Sequence, residues 1–277
     1  MKKTTNYLIE KKRKQEPIAM LTAYDFPTAV LEEEAGVDCI LVGDSVGTNI
    51  LGYESERDVT LADISHHLKA VARGVKSALL IADLPFGTAD TYEKALESSD
   101  KLLSSGADCV KIEGWGEKRV IINALADKGV TICAHIGYNP QIHDGKPRTF
   151  GKTACQAVTL IKSAVELEKA GASLIVLEKI PCEIAQLISK TVRIPTIGIG
   201  SGPFCDGQVL VIADLLGMTP KVFKHAKAYA QLRREYIKSV ESYIEEVGKR
   251  VFPGAENCSH VGADDLEEIE NLLKRES

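Results

Sequence analysis

Four carboxylates, one lysine and one histidine close short apolar runs in this chain: Asp44, Asp83, Glu113 and Glu178, with Lys111 and His135. Polar side chains at the carboxyl ends of buried strands are where barrel enzymes carry their chemistry. Taken singly, each of these carboxylates is equally an N-cap or an ion-pair partner. Together they ask for one solution. Lys111 and Glu113 are two apart on a strand and face the same way, with Ile112 turned to the other side. Two charges facing a helical layer would be desolvated without partners, so an open barrel mouth is the cheaper place for them. Asp44, Asp83 and Glu113 offer hard oxygen ligands from three neighbouring strands. No matching cluster of histidine and cysteine accompanies them, which favours Mg²⁺ over zinc. Glu178 follows Leu174-Ile175-Val176-Leu177, where an apolar surround would raise its pKa towards that of a general base; the competing reading is a surface pair with Lys179.

The elements that must position these residues are visible as Val- and Ile-rich runs: 18–22, 39–42, 79–82, 109–112, 130–134, 174–177 and 195–199, with a weaker eighth at 209–213. Continuous hydrophobicity without polar alternation marks strands covered on both faces, hence parallel strands with helices outside. A phrase recurs as well. Ala35-Gly36-Val37-Asp38, Ser105-Gly106-Ala107-Asp108 and Ala170-Gly171-Ala172-Ser173 each end a helix at glycine and lead into a strand that ends in a carboxylate. The glycine intervals, roughly 70 and 65 residues, leave room for two βα units each and number the following strands two, four and six. The expected fold is therefore an α/β (β/α)8 TIM barrel, one domain over residues 1–277, with a helical segment at 1–17 and a tail at 253–277. Asp25 before Pro27 reads as an N-cap, and helices are expected at 8–14, 91–105 and 264–274.

Composition limits the partners. A net charge of −5 and 44% hydrophobic residues describe a globular chain with no basic field for nucleic acid. No apolar stretch approaches the roughly 20 residues that span a bilayer, and no signal-peptide core follows the lysine-rich start, so a cytoplasmic location is expected. The 7 cysteines are odd in number and lack Cys-x-x-Cys spacing, and three of them lie in strand-like runs as small core residues. His66, His67 and His225 fall in helical patterns as surface or packing residues. The glycines at 198, 200 and 202 would either cradle a phosphate or admit a neighbouring backbone.

From Met20 to Met218 the order of motifs resembles the ketopantoate hydroxymethyltransferase family. The matching phrases are Leu21-Thr22-Ala23-Tyr24-Asp25, Val42-Gly43-Asp44-Ser45, Ala82-Asp83-Leu84-Pro85-Phe86, Val110-Lys111-Ile112-Glu113-Gly114, His135-Ile136-Gly137, Val176-Leu177-Glu178, Ile197-Gly198-Ile199-Gly200 and Asp206-Gly207-Gln208-Val209-Leu210, with Phe252-Pro253-Gly254 in the tail. The resemblance implies transfer of a hydroxymethyl group from 5,10-methylenetetrahydrofolate to 3-methyl-2-oxobutanoate, giving 2-dehydropantoate for pantothenate synthesis. It implies Mg²⁺ on Asp44 and Asp83 with Glu113 in or beside its shell, substrate contacts from Asp44, Ser45, Asp83, Lys111 and His135, and Glu178 as the base. It also implies a homo-oligomer, a decamer in the family. The chain departs from the family pattern at 144–152, where a Gly-Gly-aromatic-x-Val-Gln-Gly phrase is usual, at Ala213 where a histidine is usual, at Ser201 for alanine, and at Arg57-Asp58 for Leu-Pro. A related 2-oxo acid enzyme of the phosphoenolpyruvate mutase and isocitrate lyase group would show a Lys-Lys-Cys-Gly-His loop, which this chain lacks. A non-catalytic protein on the same fold would have no use for the retained carboxylates.

Overall fold

The computed structural model describes residues 2–143, 148–220 and 223–276. Eight parallel strands close into a barrel in chain order: β1 (Ile18–Thr22), β2 (Cys39–Val42), β3 (Leu79–Asp83), β4 (Cys109–Glu113), β5 (Ile132–Gly137), β6 (Leu174–Glu178), β7 (Thr196–Ile199) and β8 (Gly207–Leu210). β8 pairs with β1 to close the ring. Between the strands run α2 (Phe26–Ala35), α3 (Leu61–Gly74), α4 (Tyr92–Ser104), α5 (Lys118–Ala126), the short α6 (Pro140–His143), α7 (Ala154–Lys169) and α8 (Cys182–Thr191), preceded by α1 (Thr5–Arg13). Two strands differ from expectation. β5 begins at Ile132 instead of 130 and runs on to Gly137. β8 begins at Gly207 instead of 209, and α9 (Ile212–Leu215) occupies the end of the expected run. Gly207 opens β8 because any β-carbon there would lie 2.5 Å from the Ile18 carbonyl oxygen, so only glycine lets the closing strand approach β1.

The recurring alanine-glycine phrase has one mechanical role. Gly36, Gly106 and Gly171 all take positive φ after α2, α4 and α7, the conformation that ends a helix. A β-carbon on Gly106 would lie 2.6 Å from that of Ala72 in α3, and one on Gly171 2.5 Å from that of Ala126 in α5, so the glycines also let consecutive helices pack closely. Asp25 caps α2 by accepting from Thr28 N, as its sequence suggests.

Inside the barrel, residues alternate along each strand. Cys39, Cys109 and Cys133 are buried free thiols in the lower core with Ile18, Leu79 and Leu174, beneath the polar strand ends. Leu8 of α1 is fully buried in the same cluster and closes the base. Asp38 ties α1 there, accepting from Lys11 Nζ at 2.7 Å, Tyr7 OH at 2.9 Å and Ala19 N at 2.9 Å. With its base plugged, the barrel opens only at the carboxyl ends of the strands.

The chain separates into two compact units, residues 1–229 and 230–277, so the tail begins earlier than the expected 253. The second unit holds α10 (Leu232–Gly248) and α11 (Ala263–Glu276), whose described side chains are exposed. No residue of α10 is buried. No helix among the described residues is long and apolar enough to cross a membrane.

One buried carboxylate lies outside the mouth. Glu32 on α2 is 4% exposed with neither carboxyl oxygen hydrogen-bonded, and burial, reinforced by Asp25, pushes its pKa up to about 8. A carboxyl raised above its unfolded value of 4.5 costs stability as pH climbs from there to about 8, because the unfolded chain releases the proton first. Glu32→Gln should therefore be more stable than the wild type at pH 8 by on the order of 2 kcal/mol and nearly equal to it at pH 4.5. Thermal unfolding at the two pH values checks this; an identical pH dependence in both proteins would show Glu32 to be solvated.

Candidate functional site

The strand ends deliver the predicted residues to one cavity. Parallel registration sets Asp83 beside Lys111, Glu113 beside His135, and Gly137 beside Glu178. Lys111 Nζ lies 2.8 Å from Asp83 Oδ1 and 3.2 Å from Glu113 Oε1. His135 Nδ1 is 2.9 Å from the same Glu113 oxygen, while its Nε2 is 3.4 Å from Glu178 Oε2. Asp44 follows β2 and donates its backbone N–H to Asp83 Oδ2 at 2.9 Å. Asp44, Asp83, Lys111, Glu113 and His135 are all buried, so this chain of charges has little water to screen it.

Burial sets the direction of each titration and the partners decide who wins. Burial, then the neighbouring Glu113 and Asp83, hold the Asp44 carboxyl well above its usual range. For Lys111, burial pulls the ammonium down but Asp83, Glu113 and Asp44 outweigh it, and the group stays well above the ordinary lysine value. Burial would raise Glu113, yet Lys111 and His135 bring it down to about 2. His135 is raised to about 9 because Glu113, hydrogen-bonded to it, and the nearby Glu178 carboxylate overcome desolvation. At neutral pH His135 is an imidazolium.

Sequence reasoning missed several members of this site. Gln141, on α6 just after β5, donates from Nε2 to Asp44 Oδ2 at 2.8 Å and to the Leu84 carbonyl at 3.1 Å, and its N–H reaches Glu113 Oε2 at 3.3 Å. One residue, through its side-chain amide and its backbone N–H, thereby ties together the ends of four strands. The signal was Asn139-Pro140-Gln141, a proline starting a short helix at the strand's end. Tyr24 OH lies 2.8 Å from Ser45 Oγ and fixes that hydroxyl at the rim. His225 was expected on a helix as a surface or packing residue; it lies in a turn and faces the cavity, held below the usual histidine range by burial and by Lys179. Glu178 also differs from expectation. Apolar β6 lies behind it, but its carboxylate is flanked by His135 and, at 3.3 Å, by Lys179.

The cavity holding these groups measures about 270 Å³. A larger one of about 1000 Å³ lies to the side, lined by Pro17, Ile18, Gly202, Asp206 and Lys224, and shares Lys179 and His225 with the first. The strand-end residues Asp44, Asp83, Lys111, Glu113, His135 and Glu178 all line the smaller cavity, and only Lys179 and His225 are shared with the larger. Two glycines in and after β7 are explained by close packing: a β-carbon on Gly198 would sit 3.0 Å from Cys205 Sγ, and one on Gly202 2.3 Å from the β-carbon of Cys182. Of the segment 144–152 that departs from the family pattern, residues 144–147 lie outside the described residues. Ala213, another departure, is buried in α9.

The fold and mouth together define a (β/α)8 barrel with a carboxylate-rich centre at its carboxyl end. Among solved structures, phosphonopyruvate hydrolase complexed with oxalate and Mg²⁺ superposes with a TM-score of 0.61 at 12% identity, covering 100% of this chain and 97% of the other. A 2,3-dimethylmalate lyase of the PEP mutase/isocitrate lyase superfamily gives 0.58 at 14%, covering 99% and 97%. At such identities these likenesses show the fold alone.

The chain belongs to the ketopantoate hydroxymethyltransferase family, whose profile matches residues 2–255. The 3-methyl-2-oxobutanoate hydroxymethyltransferase of Roseiflexus sp. (strain RS-1) is 44% identical, covering 97% of this chain and 98% of that protein. The same-named protein of Thermotoga maritima is 45% identical, covering 90% and 94%.

Lys111 is the cation on which the mouth's carboxylates depend, so its loss should be felt in folding before any substrate is added. Lys111→Met should destabilise the barrel by about 3–5 kcal/mol, and adding Asp83→Asn should restore part of that by removing an uncompensated charge. Denaturant titration measures both; a single variant as stable as the wild type would mean that the carboxylates are balanced without it.

Proposed function

We propose that this enzyme transfers a hydroxymethyl group from 5,10-methylenetetrahydrofolate to 3-methyl-2-oxobutanoate, forming 2-dehydropantoate. The observation that carries the reading is the convergence of Glu178, His135, Lys111, Asp83, Asp44 and Ser45 on one small cavity, in a chain 44% identical over nearly its full length to a protein named for that reaction. A 270 Å³ cavity suits a branched 2-oxo acid of a few carbons. Within it Lys111 and the Ser45 hydroxyl hold the substrate's oxygens, the latter oriented by Tyr24. Glu178, at the inner edge of β6, takes the C3 proton. His135, cationic and hydrogen-bonded to Glu113, keeps one oxygen of Glu178 in place and favours anionic charge on the substrate beside it. The substrate's C3 then forms its new bond to the methylene carbon, whose two C–N bonds to the folate break; water supplies the hydroxyl oxygen and tetrahydrofolate leaves.

The donor set fits Mg²⁺. Among the described residues no three His, Cys, Asp or Glu side chains form a ready cage for a metal. Asp44 and Asp83 nevertheless adjoin with all-oxygen donors, and the Asp44 carboxyl, pushed up by burial and then by Glu113 and Asp83, is a group whose charged form a divalent cation would favour. We assign those two as ligands, with Glu113 beside the shell because Lys111, His135 and Gln141 already occupy its oxygens. Bound there, Mg²⁺ supplies electrostatic stabilisation of the negative charge that develops on the substrate's keto oxygen. We further read the chain as a homo-oligomer, supported by the large apolar side chains of Tyr236, Tyr243 and Ile244 left exposed on α10.

Two measurements test this. Calorimetry with Mg²⁺ should show binding to the wild type and at least a tenfold weaker affinity, about 1.4 kcal/mol, for Asp83→Ala; unchanged affinity would move the metal elsewhere. In deuterium oxide with Mg²⁺ and no folate, the wild type should exchange the C3 proton of 3-methyl-2-oxobutanoate, and Glu178→Gln should lose exchange by roughly a hundredfold while still binding the acid. Exchange retained in that variant would remove Glu178 from the role of base.

A further inference from the structure

Immediately after Glu178 the backbone does something a lysine resists. Lys179 has φ 49°, in the left-handed region that a β-carbon disfavours and glycine accepts freely. Two backbone hydrogen bonds hold it there: its N–H donates to the Ile199 carbonyl at 2.9 Å, and its own carbonyl accepts from Phe150 N at 3.1 Å. A strained backbone maintained from both sides, next to a reacting group, points to a use for the side chain so aimed. That side chain reaches back. Its ammonium lies 3.3 Å from Glu178 Oε1 and 4.2 Å from the centre of the Tyr138 ring. The other oxygen of Glu178, Oε2, faces His135 Nε2 at 3.4 Å. Gly200 leaves the room, since a β-carbon there would lie 3.4 Å from Lys179 Cγ and 3.2 Å from His225 Cβ.

We infer that Lys179 is the positioning residue of the base: its ammonium and the His135 ring each lie against one carboxylate oxygen, at 3.3 and 3.4 Å, and so restrict rotation of Glu178 away from the substrate's C3. The inference rests on the reading of Glu178 as base. A carboxylate anchored at one oxygen only can swing about its own stem, and a general base must stay within about 2.6–3.2 Å of its proton, or one water away, to work. Tyr138 adds a cation–π seat that keeps the ammonium over the mouth instead of in solvent. The groups facing it are Glu178, Tyr138 and His225, with His135 beyond the carboxylate.

The unusual backbone makes the test separable from stability. In Lys179→Gly the left-handed conformation is no longer strained, so thermal unfolding should occur at an equal or higher temperature, whereas Mg²⁺-dependent C3 exchange should slow about tenfold in kcat with KM for 3-methyl-2-oxobutanoate within about twofold. Lys179→Met and Lys179→Arg carry the same backbone strain as each other, and only the arginine should recover most of the exchange rate. Exchange at wild-type rates in the glycine and methionine variants would overturn the inference. So would a variant whose exchange is intact but whose KM for the folate donor is raised, since that would put the ammonium's role in the lateral cavity it also lines. A wild type that binds the acid without exchanging its proton is a different result, and removes the reading of Glu178 along with this one.

Discussion

Everything at the mouth depends on one buried ammonium. Asp44, Asp83 and Glu113 are each 5% exposed or less, and like charges this close in a dry setting cannot all persist without a cation among them. Lys111 supplies it, and the strand supplies Lys111: placed two residues before Glu113 on β4, it projects into the same space and meets Asp83 across the β3–β4 pairing. A lysine on a loop could turn to solvent. Fixed at the centre of a barrel sealed below by Leu8, this one has nowhere else to put its charge.

That constraint divides the labour among the remaining groups. Glu113 spends its oxygens on Lys111, His135 and the Gln141 N–H, so it acts as the anchor of the network. Asp44, which lacks a cation of its own and accepts only from the Gln141 amide, is the carboxylate with the most to gain from an added positive charge. Gln141 matters beyond its hydrogen bond to Asp44 for this reason. It holds Asp44 and Glu113 to the Leu84 carbonyl at the end of β3, and so couples the loops whose relative positions set the geometry of the mouth.

Much of this was legible in the chain, and the reasons are physical. Strands covered on both faces leave uninterrupted Val and Ile runs, and six of the eight strands begin within a residue of where those runs do. The glycines of the alanine-glycine phrase are legible because the left-handed turn and the approach to Ala72 and Ala126 both exclude a β-carbon. Period-two alternation placed Lys111 with Glu113. What escaped was set by neighbours distant in sequence. β8 starts early because its register answers to Ile18 on β1, far along the chain. Gln141 and His225 lie on short irregular segments with no periodicity to read, and the surroundings of Glu178 are cationic because β5 and the Lys179 backbone turn bring them there. The helices α10 and α11 were half legible: α11 showed its apolar stripe, while the boundary at 229 follows from burial, which the pattern alone does not contain.

The same electrostatics narrow the choice of base. Among the described residues His135 and His225 are the cavity-lining side chains that ordinarily titrate near neutrality, and His135, beside Glu178, would in isolation compete for the role. Glu113 removes it from competition. Held at 2.9 Å, with its pKa raised to about 9, the imidazole already carries its proton at neutral pH and can donate but not accept. Glu113 itself, brought down to about 2, is too weak a base to take a proton from carbon. Asp83 is spent on Lys111 and the Asp44 N–H. With Asp44 assigned to the metal, the carboxylate beside His135 that we propose as the base is Glu178, partly exposed, with two longer contacts, His135 at 3.4 Å and Lys179 at 3.3 Å, that orient it.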